Sequence, residues 1–279
     1  MSDMAETTYR YAFLDSGSGG LPYLAQLKSH EPDASCVYVA DTRHFPYGEK
    51  TRDEVISFAV ATVGRLLERF KPEVIIVACN TISVAALETL RKTYPVPFVG
   101  TVPAIKLAAS ITKNRKIGLL ATERTVKDPY TDRLIAEFAP DCEIVRIGDS
   151  ILISKIEREL VTATREERLD AVRPSVDRFR AAGCDTIVLA CTHFLHVEKE
   201  IAEVAGNGIT VIDSREGVVQ QALRLASEGR ASKGLPSEGG SQADHGKCAC
   251  YITGGVSPAN EETFRTYSGI FGIEWRGIL

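Results

Sequence analysis

A chain of 279 residues is long enough for one large α/β domain or two small ones, and it can bury roughly three quarters of its unfolded surface. The formal charge of −4, with Lys and Arg scattered and never gathered into a basic run, gives no reason to expect nucleic acid as a partner. No segment approaches the ~20 apolar residues of a membrane span, and the polar, acidic Met1–Thr8 lacks the regions of a secretory signal, so a cytoplasmic protein with no membrane partner is expected.

In chain order, strand and helix signals alternate. Arg10–Leu14 predicts the first strand, leading into Asp15-Ser16-Gly17-Ser18-Gly19-Gly20. Leu21, Leu24 and Leu27 then recur at helical spacing. Glycines in such a turn let the backbone approach a bound group, and the free N–H groups of a helix start favour an anion. The spacing is neither a dinucleotide fingerprint nor a Walker loop. A carboxylate or an amino acid backbone suits it as well as phosphate, and so does an ordinary tight turn with no ligand.

Val37–Ala40 predicts the second strand, followed by the polar and aromatic loop Asp41–Gly48. Thr51–Phe70 predicts a helix with Val55, Phe58, Ala59, Thr62, Val63, Leu66 and Leu67 on one face. Val74–Val77 is an apolar, β-branched run too short for a core helix and suited to a buried parallel strand. It ends in Ala78-Cys79-Asn80-Thr81, and helical spacing resumes over Ser83–Arg91. Val96–Gly100 predicts a short strand.

A second unit opens with a strand at Lys116–Ala121 and the polar turn Thr122–Thr125. Val126–Phe138 carries helical spacing, with Pro129 limiting where a helix starts. Glu143–Ile147 predicts a strand, and Thr164 with Glu167 predicts a capping box. The helix beyond carries Leu169, Val172, Val176 and Phe179 on one face, with Pro174 expected to kink or break it. Thr186–Leu189 repeats the earlier strand and ends in Ala190-Cys191-Thr192-His193, with helical spacing from Phe194 to Ala205. Ile209–Asp213 predicts a strand, Glu216–Ala226 a helix, Tyr251–Thr253 a strand and Asn260–Tyr267 a helix. Ser227–Gly246, rich in Gly, Ser, Lys and Asp, predicts a surface loop. The whole pattern predicts an α/β protein of two duplicated, doubly wound units with a ligand cleft between them.

The seven cysteines are odd in number and scattered, a reducing-compartment pattern and not a disulfide framework. Cys36, Cys142 and Cys184 lie in or beside apolar runs and read as inert small residues. Cys248-Ala249-Cys250 lacks a second pair for a metal site. Cys79 and Cys191 differ, because each ends a strand where a helix is expected to begin, the edge at which open α/β sheets bind ligands. One thiolate facing one thiol across a stereocentre would take a proton from one face and deliver one to the other, which is racemisation or epimerisation. Asp15 and His193 are ionisable groups at the same edge and would help move those protons. Asn80, Thr81, Thr192, Ser16 and backbone N–H groups would hold carboxylates and a carbanion-like state. Three other readings compete: plain packing, a zinc site from Cys191, His193 and His196, and a redox pair, although no Cys-x-x-Cys supports the last.

These pieces, together with Pro46-Tyr47-Gly48, Leu120-Ala121-Thr122 with Thr125, and Ile212-Asp213-Ser214, closely resemble the glutamate racemase family of the aspartate/glutamate racemase superfamily. The resemblance implies two pseudo-symmetric α/β domains with mainly parallel sheets, 1–99 plus 212–279 and 100–211, and an active site in the cleft between them. It implies Cys79 and Cys191 as acid/base thiols, Asp15 and His193 as their assistants, and Ser16, Tyr47, Gly48, Asn80, Thr81 and Thr192 as substrate contacts. It also implies that glutamate is the small-molecule substrate, that neither pyridoxal phosphate nor a metal is needed, and that D-glutamate is supplied for peptidoglycan in the cytoplasm. Cys79 would take the proton from the D form. Whether the chain forms a homodimer is left open. Val102 stands where many members have glutamate, and Phe194-Leu195 stands where Tyr-Pro is usual. Aspartate racemases usually have Cys-Thr-Glu at Cys191-Thr192-His193, so His193 favours glutamate. A non-catalytic amino acid binding module would have no use for two thiols.

Overall fold

The computed structural model describes residues 8–232, 246–255 and 258–279. It divides into two compact units: Met1–Pro46 with Thr51–Thr101 and Arg215–Leu279, and Tyr47–Lys50 with Val102–Ser214.

The first unit begins with β1 (Tyr11–Asp15), α1 (Leu21–His30), β2 (Cys36–Ala40), α2 (Arg52–Phe70), β3 (Val74–Val77), α3 (Asn80–Thr93) and β4 (Phe98–Gly100). The second unit holds α4 (Ile105–Ile111), β5 (Lys116–Ala121), α5 (Glu123–Lys127), α6 (Pro129–Phe138), β6 (Glu143–Gly148), α7 (Ser150–Arg158), α8 (Arg165–Ala181), β7 (Thr186–Leu189), α9 (Glu198–Ala205) and β8 (Thr210–Ile212). The chain then returns to the first unit through α10 (Arg215–Ser232), β9 (Cys248–Ile252), α11 (Pro258–Ile270) and β10 (Glu274–Ile278).

Every strand pairing is parallel, and the sheet orders are β10-β9-β2-β1-β3-β4 and β6-β5-β7-β8. The apolar runs explain the pairing, because a parallel sheet covered on both faces buries every side chain along its central strands. All residues of β1, β2, β3 and β7 are buried. Each Val, Ile or Leu among them contributes about 1.5–3 kcal/mol. In each sheet the winding reverses beside the first strand: β2 and β3 flank β1, and β6 and β7 flank β5. Ligands bind at such switch points, beyond the strand C-termini. Asp15 and Cys79 lie there in one sheet, and Thr122 and Cys191 in the other.

Local chemistry fixes the surrounding helices. Thr51 with Glu54 and Thr164 with Glu167 both form complete capping boxes, at α2 and α8, each contributing about 1 kcal/mol. Val55, Ala59, Thr62, Val63 and Leu66 form the buried stripe of α2. The core of the second unit gathers Ile117, Leu119 and Ala121 of β5, Val188 of β7, and Ile105 and Ala108 of α4.

Several sequence expectations need correction. Pro174 does not break α8, which runs through it. Pro174 is exposed, so the carbonyl it leaves unbonded faces water and costs little. The helical stretch at Val126–Phe138 is two helices, α5 and α6, divided at Asp128, whose side chain caps Tyr130 N–H. Phe194–Ala205 is not one helix, because a 3₁₀ segment covers Thr192–Val197 before α9 starts. Helix α10 extends to Ser232, past the expected loop start at Ser227; residues 233–245 of that loop lie outside the described residues. Helices α4 and α7 and strand β10 lacked a sequence assignment.

The glycine turn after β1 serves packing at two points. Tyr38 Oη accepts from Gly20 N–H at 3.0 Å and donates to Gly17 O at 2.7 Å. One helix-start donor expected to serve a ligand is therefore already taken. At Gly20 itself a Cβ would stand 2.7 Å from Ala78 Cβ and 3.0 Å from Ala78 O, so this residue is fixed by close approach to the end of β3. Gly20→Ala should lower stability by about 1–3 kcal/mol, the usual range for overpacking, read as a fall in the thermal midpoint. Because Ala78 precedes Cys79, turnover should fall as well.

Candidate active site

In the first unit, Cys79 follows β3 and is the N-cap residue of α3, with extended backbone geometry. Its Sγ contacts Ser16 Oγ at 3.8 Å. Ser16 Oγ lies 3.2 Å from Asp15 Oδ1, which also accepts Ser16 N–H at 2.5 Å. The hydroxyl can therefore accept from the thiol and donate to the carboxylate, linking Cys79 to a fully buried Asp15. Asn80 and Thr81 form the first turn of α3 and are buried. Asn80 Oδ1 is a buried acceptor with no hydrogen-bond partner among the described residues, and such a group is costly unless a donor reaches it.

In the second unit, Cys191 follows β7 with the same extended geometry, but the turn it caps is the six-residue 3₁₀ segment carrying Thr192 and His193. His193 Nδ1 lies 3.7 Å from Cys191 Sγ, and His193 Nε2 lies 3.0 Å from Glu157 Oε2. Burial works against charge on this imidazole. The hydrogen bonds to Cys191 and Glu157 outweigh it and hold the His193 pKa well above the ordinary histidine value. A protonated ring donates from both nitrogens, one to sulfur and one to the carboxylate.

Glu157 is the member of this candidate site that sequence reading passed over. It sits in α7 among buried Leu152, Ile153 and Ile156, so an acidic residue four positions after Ile153, on the apolar stripe, was the available signal. Tyr47 and Gly48 also belong to the second unit. A Cβ on Gly48 would lie 3.1 Å from Thr122 Cβ, so this glycine lets the loop press against the end of β5. Thr192 is buried beside Cys191.

Asp41, after β2, is a buried carboxylate with a different task. It accepts from Thr253 Oγ1 at 2.6 Å and Thr62 Oγ1 at 3.2 Å, and it bonds His44 Nδ1 at 2.9 Å. His44 stacks on Phe58 with ring centroids 3.7 Å apart. This hub fastens the start of the 41–48 loop to β9 and α2.

The remaining thiols are set apart by environment. Burial pushes Cys184 up to about 11 and Cys250 up to about 12, and it also raises Cys36 well above the ordinary value. Cys142 is half-buried at the edge of the second core, not inside it. Cys248, paired in register with Cys36, is lowered below the ordinary thiol value by hydrogen bonding with Cys36. Its alkylation by iodoacetamide should therefore rise with a midpoint below the ordinary ~8.5. Cys36→Ala should move that midpoint toward the ordinary ~8.5 and leave turnover nearly intact; a large loss of rate in folded protein would show that Cys36 is not inert.

A family model for Asp/Glu/hydantoin racemase matches residues 23–222. Over 279 residues the chain is 41% identical to the glutamate racemase of Treponema pallidum (strain Nichols), covering 100% of this chain and 99% of that one. The chain belongs to the Asp/Glu/hydantoin racemase family. It is also 41% identical to the glutamate racemase of Sphingopyxis alaskensis over 221 residues, covering 78% of this chain and 82% of the relative. Among solved structures, Escherichia coli glutamate racemase, in complex with L-glutamate and the activator UDP-MurNAc-ala, superposes with a TM-score of 0.84 at 31% identity. That match covers 97% of this chain and 98% of the other. Among the described residues, no helix is long and apolar enough to cross a membrane.

Proposed function

We propose that this protein is a glutamate racemase that interconverts L- and D-glutamate with two cysteine acid/base groups, without a cofactor or metal. The observation that carries this reading is that each strand-ending thiol has its own ionisable support. Cys79 reaches Asp15 through Ser16, and Cys191 bonds His193, which bonds Glu157. Neither packing nor simple amino acid binding calls for two such arrangements.

In this reading the two thiols serve opposite faces of one α-carbon. A thiolate on one face takes the proton, so an S–H bond forms as the C–H bond breaks. The carbanion-like state then takes a proton from the thiol on the other face. Each turnover leaves the thiol and thiolate exchanged, ready for the opposite enantiomer. Cys79 acts on D-glutamate and Cys191 on L-glutamate. The α3 N-terminus favours negative charge at Cys79. At Cys191 a short 3₁₀ turn replaces a full helix, and the His193 imidazolium is the counterion for a thiolate. Ser16, Tyr47, Gly48, Asn80, Thr81 and Thr192 hold the substrate; the unpaired acceptor of Asn80 suits the substrate ammonium. The product feeds peptidoglycan synthesis in the cytoplasm.

Incubation with L-glutamate in deuterated water tests the proposal. Solvent deuterium should enter Cα as optical rotation is lost. Exchange of L-aspartate without glutamate would make the chain an aspartate racemase. Exchange of neither would reduce the site to binding.

A further inference from the structure

Arg168 lies in the first turns of α8, half-buried, and its guanidinium reaches three separate elements of the second unit. Nε donates to Glu200 Oε1 of α9 at 2.7 Å. Nη1 donates to the carbonyl of Leu160 at 3.0 Å, and Nη2 donates to the carbonyl of His196. Leu160 lies just beyond α7, one turn after Glu157, and its N–H closes on Lys155 O at 2.9 Å. His196 lies three residues after His193, in the same 3₁₀ segment. One rigid fork therefore grips the ends of both segments that carry the Glu157–His193 pair.

We propose that Arg168 is a positioning residue that sets the separation of Glu157 and His193, and through them the imidazole at Cys191. The inference rests on the reading of His193 as an acid/base assistant. The planar guanidinium presents donors in fixed directions, so a single side chain holds two carbonyls and a carboxylate at once. Lysine keeps the charge but cannot span all three. The 3₁₀ segment needs such an anchor, because i to i+3 bonding holds a short turn less firmly than an α-helix does. Arg168 touches neither thiol, and its effect is transmitted through backbone.

The test compares Arg168→Lys and Arg168→Gln with a control from the same helix. Arg165 also reaches α9, through Glu203, but it is exposed and grips neither carbonyl; Arg165→Gln is that control. The first readout is the titration of the His193 ring in the free protein by 15N NMR, assigned by its loss in His193→Asn. The second is kcat and KM for both enantiomers of glutamate. Loosening the clamp should move His193 titration down toward ~6.5. It should lower kcat about tenfold with KM within about twofold, more in the Gln than in the Lys variant, and Arg165→Gln should match the parent. An unshifted His193 in folded Arg168→Lys would overturn the proposal. So would a fall in kcat with unchanged titration, or a rise in KM alone. A shifted His193 in a protein with no glutamate turnover to begin with would instead overturn the functional reading and leave the clamp standing.

Discussion

Cys79→Ala and Cys191→Ala should each abolish racemisation, in both directions, while leaving the protein folded. General acid–base groups contribute about 10²–10⁴-fold to a rate, and here the loss should exceed that range, because inversion needs one donor and one acceptor in the same turnover. The stereochemistry of any residue of activity is the sharper measurement. With one thiol left, a proton removed from one face returns to that face. Deuterium exchange in either variant should then be confined to one enantiomer and proceed with retention, opposite enantiomers for the two variants. Exchange into both enantiomers by a single-thiol variant would mean that the second base is another group. Both side chains are small and buried, so removing sulfur leaves only a minor cavity.

His193→Asn should slow turnover by about 10²-fold or more, and Glu157→Gln should follow it in direction. The pH dependence of stability separates these from simple packing losses. In the folded state the His193 pKa is raised, with burial opposing and the bonds to Cys191 and Glu157 prevailing. In the unfolded chain it lies near 6.5. The stability it contributes is therefore fully present below about 6.5 and is lost as pH rises through the raised folded value. Thermal midpoints measured between about pH 6 and pH 9 should fall less steeply in His193→Asn than in the parent protein. An identical slope would show that the imidazole binds protons alike in the folded and unfolded chain.

The two cysteine strands were legible because Val74–Val77 and Thr186–Leu189 are buried on both faces, which leaves a continuous apolar signature. Asp15, Ser16 and His193 followed, since they adjoin strand ends. Glu157 did not, because its partner lies 36 positions away in sequence and nothing local marks the pairing. Arg168 was less visible still: two of its partners are backbone carbonyls, which every residue carries. Strand β10, Glu274–Ile278, alternates exposed and half-buried positions at a sheet edge and contains Gly277, so it lacks the unbroken apolar run that marked the central strands. The 3₁₀ form of Thr192–Val197 was hidden by apolar residues at Phe194, Leu195 and Val197 that also fit a helix. There the bond from His193 to Glu157 and the grip of Arg168 on His196 act where local propensity is silent.

The order of β10-β9-β2 has a consequence for biogenesis. Strand β2 is made early, yet the neighbours on its outer side, β9 and β10, are made only after the whole second unit. Until they arrive, Cys36–Ala40 is an unprotected edge of the kind that recruits foreign strands. The inserted unit, continuous from Val102 to Ser214 apart from one short loop, has no such debt to later sequence. During synthesis it should mature first, and nascent chains that stop short of Cys248 should be prone to aggregate through the open side of β2.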